Sequence, residues 1–325
     1  MDEQNTSQPN NNETDLQTGE IVNRLAFAAL NEQRRTRRWN IFFKGLFFSY
    51  FLVIVLMVYL PVDSGSKLTT GKHTALIEIN GVIADNTEAN ADSIITGLRK
   101  AFEDDNTAGV ILRINSPGGS PVQSGYVNDE IARLRKENPE IKVYAVVTDI
   151  CASGGYYIAA ATDEIYADKA SIVGSIGVLM NGFGFVEAMK KLGVERRLFT
   201  AGENKGILDP FSEVKPEDLN HVKSMLSNIH EQFIAVVKKG RGDRLVKNKE
   251  IFSGLFWTGE QALELGLVDS LGSSSYVARE VIKAETIVNF TPRQTYLDRF
   301  AERFGAAMAN TIMQVFGVNQ IPVTK

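Results

Sequence analysis

From Thr74 onward the chain alternates short runs rich in β-branched residues with amphipathic stretches, and no other feature narrows its possible folds as much. The β-rich runs cover residues 75–79, 110–114, 143–147, 164–167 and 172–179, while residues 92–104, 122–137, 154–161 and 184–192 carry apolar side chains at helical spacing. Strands that alternate with helices pair in parallel, because each helix must carry the chain back across the sheet. The expected fold class is therefore α/β, with a mainly parallel sheet flanked by helices. Residues 216–239 read as one long helix, followed by short helices near 243–249, 259–265 and 274–284. No internal repeat is visible.

Residues 41–60, IFFKGLFFSYFLVIVLMVYL, would span roughly 30 Å as a helix, about the thickness of a bilayer's hydrocarbon core. Lys44 is the only charge and lies near the start, where its amine reaches back to the head groups. One transmembrane helix is expected. Arg34, Arg35, Arg37 and Arg38 precede it and only Lys67 and Lys72 follow closely, which orients the N-terminus to the cytoplasm. The stretch is long for a cleaved signal, and Pro61-Val62-Asp63 is a poor cleavage site, so an uncleaved anchor is expected.

These features divide the chain into a polar cytoplasmic tail (1–40), the span (41–60), a linker (61–73), a globular domain (74–290) and a C-terminal tail (291–325). Residues 1–20 are too polar to offset the entropy of ordering and are expected to stay unfolded, with a short helix over 21–38. In the C-terminal tail, Leu297, Phe300, Phe304, Met308 and Ile312 would form one apolar helix face.

Several chemistries are excluded by composition. A formal net charge of -4 gives no sign of a nucleic-acid partner. Cys151 is the single cysteine and reads as a small core residue, so neither a disulfide framework nor a cysteine-rich zinc site is available. The histidines are His73, His221 and His230, the last two nine residues apart on one expected helix and so on opposite faces. His230-Glu231-Gln232-Phe233-Ile234 opens like a zincin helix but lacks the second histidine. No metal or cofactor is expected.

Asn115-Ser116-Pro117-Gly118-Gly119 directly follows the run 110–114, where a buried strand must turn into a helix. Glycines there let backbone N–H groups face a ligand, although a tight turn needs nothing more. Ser153, in Ala152-Ser153-Gly154-Gly155-Tyr156-Tyr157, stands at a second strand-to-helix junction. It reads either as a nucleophile left accessible by two glycines or as a helix N-cap. With histidine so scarce, the base for such a nucleophile would be a lysine. Lys205, in Gly202-Glu203-Asn204-Lys205-Gly206, lies 52 residues downstream and would otherwise be an ordinary loop lysine.

Together with Gly174-Ser175-Ile176-Gly177-Val178, these motifs resemble the signal peptide peptidase A family of bacterial membrane-anchored serine-lysine peptidases, over about residues 74–289. The resemblance implies a Clp-protease/crotonase-like ββα superhelix. It implies Ser153 as nucleophile, Lys205 as general base, Ser175 as the hydroxyl that orients the lysine amine, and Gly119 and Gly154 as oxyanion donors. Lysine acts as a base only when neutral, which near neutral pH costs an ordinary amine about 4 kcal/mol, and burial with the Ser175 hydroxyl is the expected means. Glu203 departs from the pattern, because a carboxylate near the base favours its charged form.

The resemblance further implies a ring- or dome-shaped homo-oligomer in which Lys205 reaches Ser153 of a neighbouring protomer. The implied activity is cleavage, through an acyl-enzyme, of signal peptides left in the inner membrane, by a domain on its periplasmic side. A peptidase specific for one membrane protein, an inactive scaffold of the same fold and a crotonase-type acyl-CoA enzyme are the other readings.

Overall fold

The computed structural model describes residues 11–59 and 71–292, which form two separate units. The first is a single helix, α1 (Asn11–Tyr59). Residues 11–20, expected to be unfolded, belong to it, and no break separates the expected helix at 21–38 from the apolar stretch. The physical reason is cooperativity: a polar segment that would not nucleate a helix alone extends one already formed, at a cost of only one residue's ordering per step. Among the described residues no helix is long and apolar enough to cross a membrane. The expected span 41–60 runs past α1 to Leu60, outside the described residues, and so do residues 1–10 and the apolar face from Leu297 to Ile312.

The second unit is built on one eight-stranded sheet. Along the chain come β1 (His73–Asn80), α2 (Ala91–Glu103), β2 (Thr107–Ser116), α3 (Pro121–Glu137), β3 (Lys142–Ala152), α4 (Gly154–Ala159), β4 (Glu164–Ala167) and β5 (Ile172–Gly174). There follow α5 (Val186–Leu192), α6 (Pro216–Arg241), β6 (Phe256–Thr258), α7 (Gly259–Glu264), β7 (Ser270–Leu271), α8 (Ser274–Tyr276) and β8 (Ile287–Asn289). The spatial order is β6-β5-β3-β2-β1-β8, with β4 paired to the first half of β3 and β7 to β4. Every pair is parallel except β5 with β6, as the strand–helix alternation requires.

Side chains alternate across the sheet. Ile77, Ile79, Leu112, Ile114, Val143 and Val147 point to one face and are buried under α2, α3, α4 and α6, through Leu98, Ile131, Ile158 and Val237 among others. Leu76, Ile111, Tyr144 and Val146 point to the other and pack beneath Val277 and Ala278 of the π-helical turn Val277–Ile282 that follows α8. Burying each such side chain contributes about 1.5–3 kcal/mol, so the two-sided core fixes the register of the central strands.

Two expectations need correction. The strand expected over 172–179 ends at Gly174, because Ser175 takes φ 53°, a left-handed conformation that no ladder accommodates. The helix expected near 243–249 is instead two 3₁₀ turns, Gly242–Arg244 and Lys249–Phe252.

Candidate active site

The carboxyl ends of β2, β3 and β5 converge on one place, and each turns there through an unusual backbone conformation. Between the pairs Ile114↔Val147 and Ser116↔Cys151, β3 takes up two more residues than β2, so its last residues are offset by a bulge. Beyond Ala152 the chain enters α4 through Ser153, whose φ 51° and ψ -121° are those of a sharp strand-to-helix elbow. Holding a serine there costs about 1–3 kcal/mol, and such strain concentrates at functional positions. The half-buried Ser153 hydroxyl forms no capping bond with α4, so the N-cap alternative does not apply. Its amide donates to the Gly174 carbonyl at 2.9 Å.

The glycine turn after β2 lies against this elbow. The Ser116 hydroxyl donates to the Gly81 carbonyl at 2.6 Å and accepts from the Gly118 amide at 3.1 Å. Gly118 has φ 101°, and a Cβ on it would lie 2.7 Å from both the Ser153 Cβ and the Gly154 nitrogen, so only glycine fits. The Gly118 carbonyl accepts from Ile83 at 2.9 Å and the Ser120 amide donates to Ile83 at 2.8 Å. With its neighbours on both sides committed to Ile83, Gly119 points its own N–H the opposite way, toward Gly154: its nitrogen is 3.2 Å from where a Gly154 Cβ would stand. The Gly118 N–H is occupied by Ser116, which leaves Gly119 as the available donor of the pair. Gly154 is the first residue of α4, so its N–H has no partner within the helix.

Ser175 follows β5 at the position beside Ser153. Ala152 pairs with Gly174, and the next residue of each strand is a serine with positive φ. The Ser175 amide donates to the Leu255 carbonyl at 2.7 Å, and the half-buried Trp257 ring covers Gly174.

Lys205 is placed differently from what burial of its amine would need. It sits in a turn, with its amide donating to the Gly202 carbonyl at 3.1 Å, and within one chain the residue is exposed. Among the described residues no hydrogen bond joins it to Ser153 or Ser175. Glu203 in the same turn is also exposed. The segment 177–214 that carries this turn exposes Leu179, Phe183, Leu192 and Phe199, the last to 91%.

Cys151 is fully buried two residues before the elbow, and burial pushes its thiol pKa up, which leaves it inert. Among the described residues no cluster of three or more His, Cys, Asp or Glu could hold a metal ion.

Three contributors had no marker in the sequence. Ser124 of α3 is fully buried, its hydroxyl has no partner among the described residues, and it lies 2.5 Å from where a Gly154 Cβ would stand. His230 of α6 lies 3.2 Å through Nε2 from the Ile176 carbonyl. Gly240 of α6 passes so close to α4 that a Cβ would collide with the Ala160 carbonyl oxygen. Farther along, the buried Arg241 pairs with Asp269 through two hydrogen bonds, at 2.7 and 2.9 Å, and donates to the Gly266 carbonyl. The Tyr156 hydroxyl of α4 donates to the neighbouring Leu267 carbonyl at 2.8 Å.

A sequence model described as peptidase family S49 matches residues 135–288. A Synechocystis sp. protein with the protease designation slr0021 is 35% identical over 232 residues, covering 71% of this chain and 80% of that protein. The chloroplastic serine protease SPPA of Arabidopsis thaliana is 30% identical over 186 residues, 57% of this chain and 27% of that protein. A Brucella melitensis protein named Na(+)/H(+) antiporter NhaA is 53% identical over 175 residues, 54% of this chain. The match spans about a quarter of that Brucella protein's length, 24%.

Proposed function

Because the chain belongs to peptidase family S49, we propose that it is a serine endopeptidase in which Ser153 is the nucleophile and Lys205 the general base. Ser175 orients the lysine amine, and the N–H groups of Gly119 and Gly154 form the oxyanion hole. The observation that carries this reading is the elbow at Ser153: a hydroxyl not spent on capping, on a strained turn, against the one glycine of its pair whose N–H is available.

In the proposed reaction the Ser153 Oγ bonds to the scissile carbonyl carbon while its proton passes to the neutral Lys205 amine. The carbonyl oxygen, now negative, is met by the two backbone N–H groups, and removing one such donor typically costs about 10²–10³ in rate. The C–N bond then breaks as Lys205 returns the proton to the leaving amine. Water attacks the resulting ester, gives its proton to Lys205, and the serine oxygen departs and recovers that proton.

The Lys205 beside a given Ser153 comes from a neighbouring protomer in a ring- or dome-shaped homo-oligomer. Exposure of Lys205 and of the apolar side chains on segment 177–214 supports this. The ββα superhelix belongs to the same proposal, supported by the parallel order of β1 to β4 and their crossover helices. Substrates are extended peptides with apolar side chains, such as signal peptides left in a membrane. Leu179 and Met180 just beyond Ser175, with Val82 and Val122 near the glycine turn, are exposed apolar groups suited to them. Residues 41–60, with Lys44 as the only charge, would anchor the chain in the inner membrane with the peptidase outside the cytoplasm.

The test is hydrolysis of a fluorogenic peptide panel by the full chain and by Ser153→Ala and Lys205→Ala. Both variants are expected to lose activity, and mixing them before assembly to restore a fraction of it. Retention of most of the rate by either variant would overturn the roles; silence of every mixture would overturn the shared site.

A further inference from the structure

Helix α6 presents His230, Phe233, Val237 and Gly240 at spacings of three, four and three residues, which is one face of a helix. That face touches two catalytic elements at once. Phe233 is buried, with its ring centroid 5.1 Å from that of Tyr157 in α4, the helix that begins just after Ser153. Gly240 lies flush against Ala160 at the end of α4. His230 reaches the other element: its Nε2 is 3.2 Å from the carbonyl of Ile176, the residue next to Ser175. A carbonyl only accepts, so the imidazole carries a proton on Nε2 and donates it.

Ser175 is one of four described non-glycine residues with positive φ, and such a conformation persists only where the surroundings over-determine it. Its own amide is held by the Leu255 carbonyl on the β6 side. The carbonyl of the following residue, Ile176, is held by His230 from α6, and the Ile176 side chain is fully buried. The turn is thus clamped from two directions, and among the described residues His230 is the side chain that bonds its backbone.

We propose that His230 is a positioning residue for the peptidase reaction: it fixes the Ser175 turn, and with it the hydroxyl that orients the lysine base, in register with the helix that carries the nucleophile. This inference rests on the assignment of Ser153, Lys205 and Ser175 made above. His230 touches neither substrate nor reacting atoms. It acts by holding the Ile176 carbonyl, which a different donor of similar reach can also do.

The experiment measures kcat and KM with a fluorogenic apolar peptide on the full chain, alongside the rate of phosphonate labelling of Ser153. His230→Ala is expected to lower kcat about tenfold to a hundredfold with KM within about twofold, because small misplacement of a reacting group costs this much. Labelling should slow in parallel, and His230→Gln, whose amide can donate to the same carbonyl, should recover most of both. If His230→Ala does not fold, His230→Met fills the space without a donor and takes its place in the comparison with Gln. Wild-type kcat in the Ala or Met variant, a change confined to KM, or a Gln variant as impaired as Ala or Met would overturn the proposal. A Ser153→Ala control that kept its activity would overturn the underlying assignment instead.

Discussion

Ser153 and Ser175 leave adjacent parallel strands at the same register position, the first donating its amide to the residue before the second, and both turn with positive φ, 51° and 53°. The backbone thereby brings two serines to the same end of the sheet, one on each of two neighbouring strands.

Strain at Ser153 predicts different stability responses to two inactivating substitutions. Ser153→Ala removes the hydroxyl but keeps the Cβ, so activity should vanish with little change in stability. Ser153→Gly relieves about 1–3 kcal/mol of strain and gives back about 0.5–1 kcal/mol through the greater freedom of the unfolded chain. It should be inactive yet melt about 2–4 °C higher. Calorimetry of the two variants checks this, and a lower melting temperature for the Gly variant would contradict the strain.

At Gly154, a Cβ would stand 2.5 Å from the Ser124 hydroxyl and 3.2 Å from the Gly119 nitrogen. Gly154→Ala should therefore destabilise the protein and lower kcat about 10²-fold or more by displacing an oxyanion donor. Ser124→Ala alone should be neutral or stabilising, since an unpaired buried hydroxyl costs about 1–3 kcal/mol. The double variant should regain stability but not the full rate, a coupling that a double-mutant cycle measures.

Gly240→Ala weighs two effects of opposite sign. Alanine in a helix interior gains about 0.5–1 kcal/mol over glycine. Here its methyl would strike the Ala160 carbonyl, and overpacking of this kind costs about 1–3 kcal/mol or more. The clash should win, with a lower melting temperature and a lower kcat because α4 is pushed. Denaturant unfolding paired with kinetics would show it.

Acid should weaken the fold in a defined window. Hydrogen bonding from Arg133, joined by Arg99, holds the Glu130 carboxyl at about 2 against the penalty of burial, well below its usual 4.5. Burial disfavours the charged forms of Asp163 and Asp269, but Arg135 with the Val143 N–H, and Arg241 with the Ile165 N–H, joined by Lys142 and Arg244, together outweigh it, and both carboxyls stay below the usual range. For groups with lowered folded-state pKa values, the stability is present above the unfolded value and lost as pH falls through the folded one. Melting temperatures should thus fall between about pH 4.5 and 2, and Glu130→Gln should flatten part of that decline.

The central strands were legible because residues 110–114, apolar but for Arg113, and 143–147 place apolar side chains on both faces, which only a sheet covered on both sides can bury. The early end of β5 was not: Ile172 to Leu179 reads as one strand, and nothing local announces that Ser175 will take a left-handed turn. β6, β7 and β8 are two or three residues long, too short for any periodicity to register. Ser153 and the glycine pair stood out as candidates because a sharp strand-to-helix turn leaves room only for glycine beside it. Ser124 and His230 could not, because a serine and a histidine on long helices gain their meaning only from what the fold brings opposite them.

The most direct measurement is the site and rate of covalent modification by a fluorophosphonate in the assembled full-length protein, located by mass spectrometry. One adduct is expected, on Ser153, formed rapidly in the wild type and barely at all in Lys205→Ala or Lys205→Arg. An adduct on another residue, or labelling of Ser153 at the wild-type rate without Lys205, would contradict it.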